Sequence, residues 1–170
     1  MNTPNTPYDK LGGEPALQQL TRRFYELMDE LPEAWSIRQM HPDSLAGSQQ
    51  SLFEFLSGWL GGPDLFVQHR GHPRLRMRHA PYTISPTARD EWLLCMRLAL
   101  TEQVADEGFR QALVLAFEQM AHHLVNDAGG HSCGHGTATA ATTAAGATPA
   151  QTQAPALKPT APAAHTAEAT

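Results

Sequence analysis

The feature that most limits what this chain can become is the spacing of its apolar residues. Leu17, Leu20, Phe24, Leu27, Met28 and Leu31 fall on one helical face, in a run that starts at Gly12-Gly13 and carries Pro15 in its first turn. The segment LAGSQQSLFEFLSGWLGGP supplies Leu52, Phe53, Phe55, Leu56, Trp59 and Leu60, and stops at Gly61-Gly62-Pro63. Two more helices follow. In PTARDEWLLCMRLALTEQ, Ser85 is placed to cap the helix and Pro86 to open it, and DEGFRQALVLAFEQMAHHLV forms the last. PEAWSIRQMHP reads as a short turn of helix ending at Pro42, and residues 64–84 as irregular. No run alternates apolar and polar residues as a half-buried strand would, so the expected fold is all-α.

Composition sets the limits of that fold. From Ala128 to Thr170 the chain is mostly Ala, Thr, Pro and Gly, with one lysine and one glutamate. Such a segment cannot bury enough apolar surface to offset its ordering entropy. Residues 1–127 are therefore expected to be the folded domain and 128–170 a disordered tail. Within the tail, HSCGH offers His131, Cys133 and His135 as a weak soft-metal pattern. The net charge is −5 with nine histidines counted neutral, which lacks the basic excess of a nucleic-acid binder. No apolar stretch reaches the roughly 18 residues of a membrane span. The start, MNTPNTPYDKLGG, has no charged region followed by an apolar run, so no secretory leader is expected there. Cys95 lies inside an apolar helical run and Cys133 in the tail, which is no disulfide framework. These features predict a cytoplasmic protein that binds neither nucleic acid nor membrane.

A plain helical bundle leaves several polar residues unexplained. RGHPRLRMRHAP concentrates Arg70, Arg74, Arg76 and Arg78 with His72 and His79. Taken alone it reads as a solvated basic turn. If residues 73–79 form a helical turn, however, His79 and Leu75 share a face with arginines on either side. An inward imidazole rimmed by guanidinium groups suits a haem, giving iron a nitrogen ligand and two propionates their cations. There is no C-x-x-C-H, so thioether attachment is not expected. His72, beside Pro73, reads as a turn residue. Tyr25 next to Phe24, Trp92 at the start of its helical face and His41 before Pro42 each bring a polar group near the apolar interior. Each also has a plain reading, as a core-edge aromatic or a surface turn.

Five segments together are more specific. YDKLGGEPAL (8–17), RRFYELM (22–28), FLSGWLGGP (55–63), GHPRLRMRHAPY (71–82) and RDEWLLCM (89–96), in this order and at these separations, resemble the group II truncated haemoglobins. The resemblance covers residues from about 7 to 126. It implies a two-over-two helical sandwich holding haem b between its layers. It implies His79 as the proximal iron ligand, Tyr25 as the distal tyrosine and Trp92 as the tryptophan facing an iron-bound ligand. Arg78, with Arg70 and Arg76, would serve the propionates, and Ser48 and Leu52 would line the distal side. The glycine pairs 12–13 and 61–62 match the family's hinges. His41 departs from the aromatic residue usual before this proline, and is expected to add a titratable donor to the distal set. Tyr25 or His41 is expected to coordinate ferric iron when no external ligand is present.

The implied function is reversible binding of dioxygen and other diatomic ligands, with an unidentified reductase restoring ferrous iron. Two further readings stay open on the same residues. The pocket could run peroxidase or nitric-oxide-detoxifying chemistry, or the chain could be a haem-free helical interaction module with a basic patch.

Overall fold

The computed structural model describes residues 6–127, and among them every regular element is helical. In chain order they are α1 (Pro7–Leu11), α2 (Gly13–Glu30), a 3-10 turn (Pro32–Ala34), α3 (Trp35–Gln39), α4 (Ala46–Trp59), α5 (Leu65–Arg70), α6 (Leu75–His79), α7 (Pro86–Gln103) and α8 (Glu107–His122). The four long helices are those marked by the apolar spacing. Their ends follow local chemistry. The Ser85 hydroxyl accepts the Ala88 N–H at 3.1 Å with Pro86 in the first turn, and the Asp106 carboxylate accepts the Phe109 N–H at 2.8 Å. Two expectations change. A short helix, α1, precedes Gly12, capped by the Thr6 hydroxyl on the Asp9 N–H. The stretch expected to be irregular, 64–84, contains α5 and α6. At six and five residues, these helices are too short to show an apolar period.

Helices α2 and α4 pack on each other, as do α7 and α8, and α2 lies on α7, forming a two-over-two sandwich. The centre is occupied by Leu17, Leu20, Phe24, Leu56, Met96, Leu100 and Phe117, all essentially without solvent contact. Complete burial of a side chain of this kind contributes about 1.5–3 kcal/mol. Thr21 is buried among them and donates its hydroxyl proton to the Leu17 carbonyl at 3.1 Å, so its polarity is satisfied within its own helix.

Two of the sequence segments meet in space. The Tyr8 N–H donates to the Leu60 carbonyl at 3.0 Å, and the Tyr8 ring lies on Gly62, where an added Cβ would come within 2.6 Å of it. Gly61, with φ +89°, makes the turn that brings the chain there. YDKLGG and GWLGGP are thus two sides of one contact, which ties α1 to the end of α4. No described helix is long and apolar enough to cross a membrane. The tail and its His131, Cys133 and His135 lie outside the described residues.

Candidate functional site

His79 closes the five-residue helix α6, and its ring is half-buried. Its Nδ1 lies 2.7 Å from the Leu75 carbonyl oxygen. A carbonyl can only accept, so Nδ1 donates to it, and in the neutral ring Nε2 is the lone-pair nitrogen. Several side chains hold this short helix in place. Arg78 donates from Nε to the Pro73 carbonyl and from Nη2 to the Arg70 carbonyl, each at 2.9 Å, with its guanidinium 5.1 Å from the centre of the Phe66 ring. Arg70 in turn donates from Nε to Glu54 at 2.6 Å. On the far side Asn126 donates its amide to the Tyr82 carbonyl at 2.8 Å and accepts the Ile84 N–H at 2.8 Å.

Tyr25 on α2 is buried, and its ring meets His41 edge-on with centroids 5.7 Å apart. Burial pushes the Tyr25 phenol well above its usual range, with the Ser48 hydroxyl on α4 acting weakly the other way. Tyr25 is therefore a neutral donor at physiological pH. The His41 Nδ1 lies 2.8 Å from the Ile37 carbonyl, the same four-residue step back that fixes His79. Burial is the main cause holding the His41 imidazole below its ordinary value. The Ile37 carbonyl opposes this, and the charge of Arg38 adds to the lowering. His41 is therefore neutral near pH 7, with its proton on Nδ1, and presents Nε2 as an acceptor instead of the expected donor.

Trp92 joins this group indirectly. Its ring lies 5.1 Å from Phe24 and 6.0 Å from Phe117, and Phe24 touches Tyr25 at 4.9 Å. Ser48 and Leu52 sit one turn apart on α4, both half-buried. Of the three arginines expected near a cofactor, Arg70 is engaged by Glu54 and Arg78 by backbone carbonyls. Arg76 lines an open groove of about 410 Å³ with Tyr82, Asn126 and Asp127.

Sequence reasoning passed over three residues that position this group. Glu91 on α7 accepts the Ile37 N–H at 2.7 Å. Arg38 donates to Asp29 and to the carbonyls of Pro42 and Asp43, which fixes the chain on both sides of His41. Glu54 sits 4% exposed beneath Arg70 and His69. Of these, a charged residue inside an apolar helical run, as Glu54 is among Phe53, Phe55 and Leu56, was the one signal available.

The donor set fits a haem. In the neutral His79 ring the Leu75 carbonyl commits the proton to Nδ1 and leaves Nε2 as the lone-pair nitrogen, Tyr25 and His41 form a second polar pair, and Arg76 and Arg78 closely precede the histidine in sequence.

Comparison with known proteins agrees with this geometry. Residues 6–126 match the bacterial-like globin family model. A group 2 truncated haemoglobin of Bacillus subtilis is 35% identical over 122 residues, covering 72% of this chain and 89% of its own length. Among solved structures, the cold-adapted truncated haemoglobin of the Antarctic bacterium Pseudoalteromonas haloplanktis TAC125 is 46% identical with a TM-score of 0.70, over 72% of this chain and 98% of that one. The group II 2-on-2 haemoglobin of Agrobacterium tumefaciens is 44% identical with a TM-score of 0.71, over 74% and 98%. With the match spanning the described helices almost from end to end, the chain belongs to the bacterial-like globins, as a group II, two-on-two truncated haemoglobin and hence a haem-binding globin.

Proposed function

We propose that this globin holds haem b through His79 and reversibly binds dioxygen and related diatomic ligands against a distal set of Tyr25, His41, Trp92, Ser48 and Leu52. The observation that carries the reading is the 2.7 Å hydrogen bond from His79 Nδ1 to the Leu75 carbonyl. It commits the proton to one nitrogen, orients the ring and raises the basicity of the other nitrogen, as an iron ligand requires. Haem b, when bound, supplies the iron at which a diatomic ligand is taken up. The protein's part is to orient, to donate hydrogen bonds and to exclude water. Tyr25, neutral and desolvated, is an O–H donor, and the Trp92 indole, packed beside Phe24 and Phe117, is an N–H donor. Such donors favour a ligand that accumulates negative charge and slow its release. A structural relative, the truncated haemoglobin of Bacillus subtilis, is oxygen-avid. Arg76, which lines an open groove with Ala80 and Tyr82, is the arginine left for a propionate; Arg70 and Arg78 contribute positive charge while holding α6.

The test is the optical spectrum. The chain expressed with haem supplied is expected to show a Soret band, and His79→Ala to shift or lose it, with partial recovery on adding free imidazole. A His79→Ala protein with an unchanged band removes His79 as the ligand. A wild-type chain without any Soret band and without iron returns the protein to a haem-free interaction module.

A further inference from the structure

We infer that Glu91 is a positioning residue for the distal side, acting through both ends of one peptide residue, Ile37, to fix the ring of His41. The inference rests on the haem-site reading above but concerns a residue outside it. Ile37 lies in the first turn of α3, where backbone N–H groups have no partner inside the helix, and neither Ala34 nor any other side chain of the α3 N-cap supplies one. The Glu91 carboxylate, from the neighbouring helix α7, accepts the Ile37 N–H at 2.7 Å. The carbonyl of the same residue accepts the His41 Nδ1–H at 2.8 Å. One carboxylate thus anchors the residue whose other polar group decides which ring nitrogen of His41 carries its proton. A charged acceptor on a backbone N–H is a strong form of this contact, and it draws Ile37 into a defined place against α7.

Two consequences follow from the geometry. Because Glu91 adjoins Trp92 in sequence, the carboxylate ties α3, which leads into His41, to the helix that carries the Trp92 indole. The carboxylate thus links the segments that carry the two distal residues, alongside the Arg38 contacts that hold the chain around His41. In addition, His41 is held with Nε2 unprotonated, so that it offers the distal side a lone pair while Tyr25 offers a proton. Loss of the Glu91 contact frees the α3 turn, and His41 is then able to carry its proton on either nitrogen. The change acts through hydrogen-bond polarity at the site, whereas a purely structural role for Glu91 would reach only stability.

The experiment compares wild type, Glu91→Gln and Glu91→Ala, each labelled with ¹⁵N-histidine. The tautomer of His41 is read from its ring nitrogen shifts in the protein as isolated, with His41→Phe used to assign the signals. In the haem-loaded form, carbon monoxide is added as a probe, because its C–O stretch responds to donors and lone pairs nearby. Wild type is expected to show a single Nδ1–H tautomer. Glu91→Gln keeps an oxygen able to accept the Ile37 N–H and is expected to preserve both the tautomer and the stretch. Glu91→Ala is expected to give a mixed tautomer and a shifted or split stretch. A Glu91→Ala protein with a lower melting temperature but the wild-type tautomer and stretch overturns the inference, as does a wild-type His41 protonated on Nε2. A chain that takes up no haem overturns the functional reading instead, and the tautomer comparison still decides the role of Glu91.

Discussion

At the scale of single residues, a histidine can ligate a metal only through the nitrogen that carries no proton, and at both His79 and His41 a carbonyl four residues earlier makes that choice. What separates the two rings is their surroundings. His41 lies against Tyr25 and beneath the charge of Arg38, whereas His79 closes a helix held from below by Arg78. The sequence identified both histidines but could not assign their protons, since that depends on which carbonyl each ring meets. Trp92 is a clearer case, because its ring packs half-buried beside Phe24 and Phe117 and carries an N–H donor. Replacing Trp92 by Phe keeps a ring there and removes the donor. Oxygen dissociation measured by stopped flow is expected to accelerate about tenfold, the equivalent of a hydrogen bond of about 1.4 kcal/mol. An unchanged rate removes Trp92 from the ligand's environment.

Among elements, the arginine run is where structure and sequence differ most. The spacing of Arg70, Arg76 and Arg78 about His79 reads as a cationic rim for a cofactor, yet two of the three are used to build the helix that presents the histidine. Arg70 reaches Glu54 on α4, and Arg78 closes the loop between α5 and α6. A one-dimensional pattern shows how many charges are present but not which have partners. Burial alone would raise the Glu54 carboxyl, but hydrogen bonds from Arg70, Gln50 and His69 prevail and hold it below its ordinary value of 4.5. The folded state therefore binds a proton less readily than the unfolded chain. The stabilisation is complete above that ordinary value and is lost as pH falls through the lower, folded one. Glu54→Gln is expected to cost about 1–3 kcal/mol near neutral pH. Urea midpoints should show that cost shrinking on acidification below the ordinary value of 4.5, as the wild-type carboxylate itself becomes protonated. A cost independent of pH would mean that the carboxylate charge does not hold α5 to α4.

For the whole molecule, the family match over residues 6–126 spans all the described helices and includes His79, Tyr25, His41 and Trp92. A chain ending at Asp127 is expected to keep the Soret band, the oxygen dissociation rate and the melting temperature of the full-length protein. Loss of haem on truncation would assign the tail a part in holding it.

The sequence by itself determined the helical class, the four long helices, the Ser85 cap and the separated segments that mark the family. All of these depend on short-range periodicity and local backbone chemistry, which a linear pattern records. Tertiary structure decided the rest. It brought Tyr8 onto Gly62, joined Tyr25 to His41, gave Arg70 and Arg78 structural partners, and placed the Glu91 carboxylate on the Ile37 N–H. Each of these is a pairing between residues from different elements. Their energies exist only once packing has fixed which donor meets which acceptor, and residue type alone leaves that choice open.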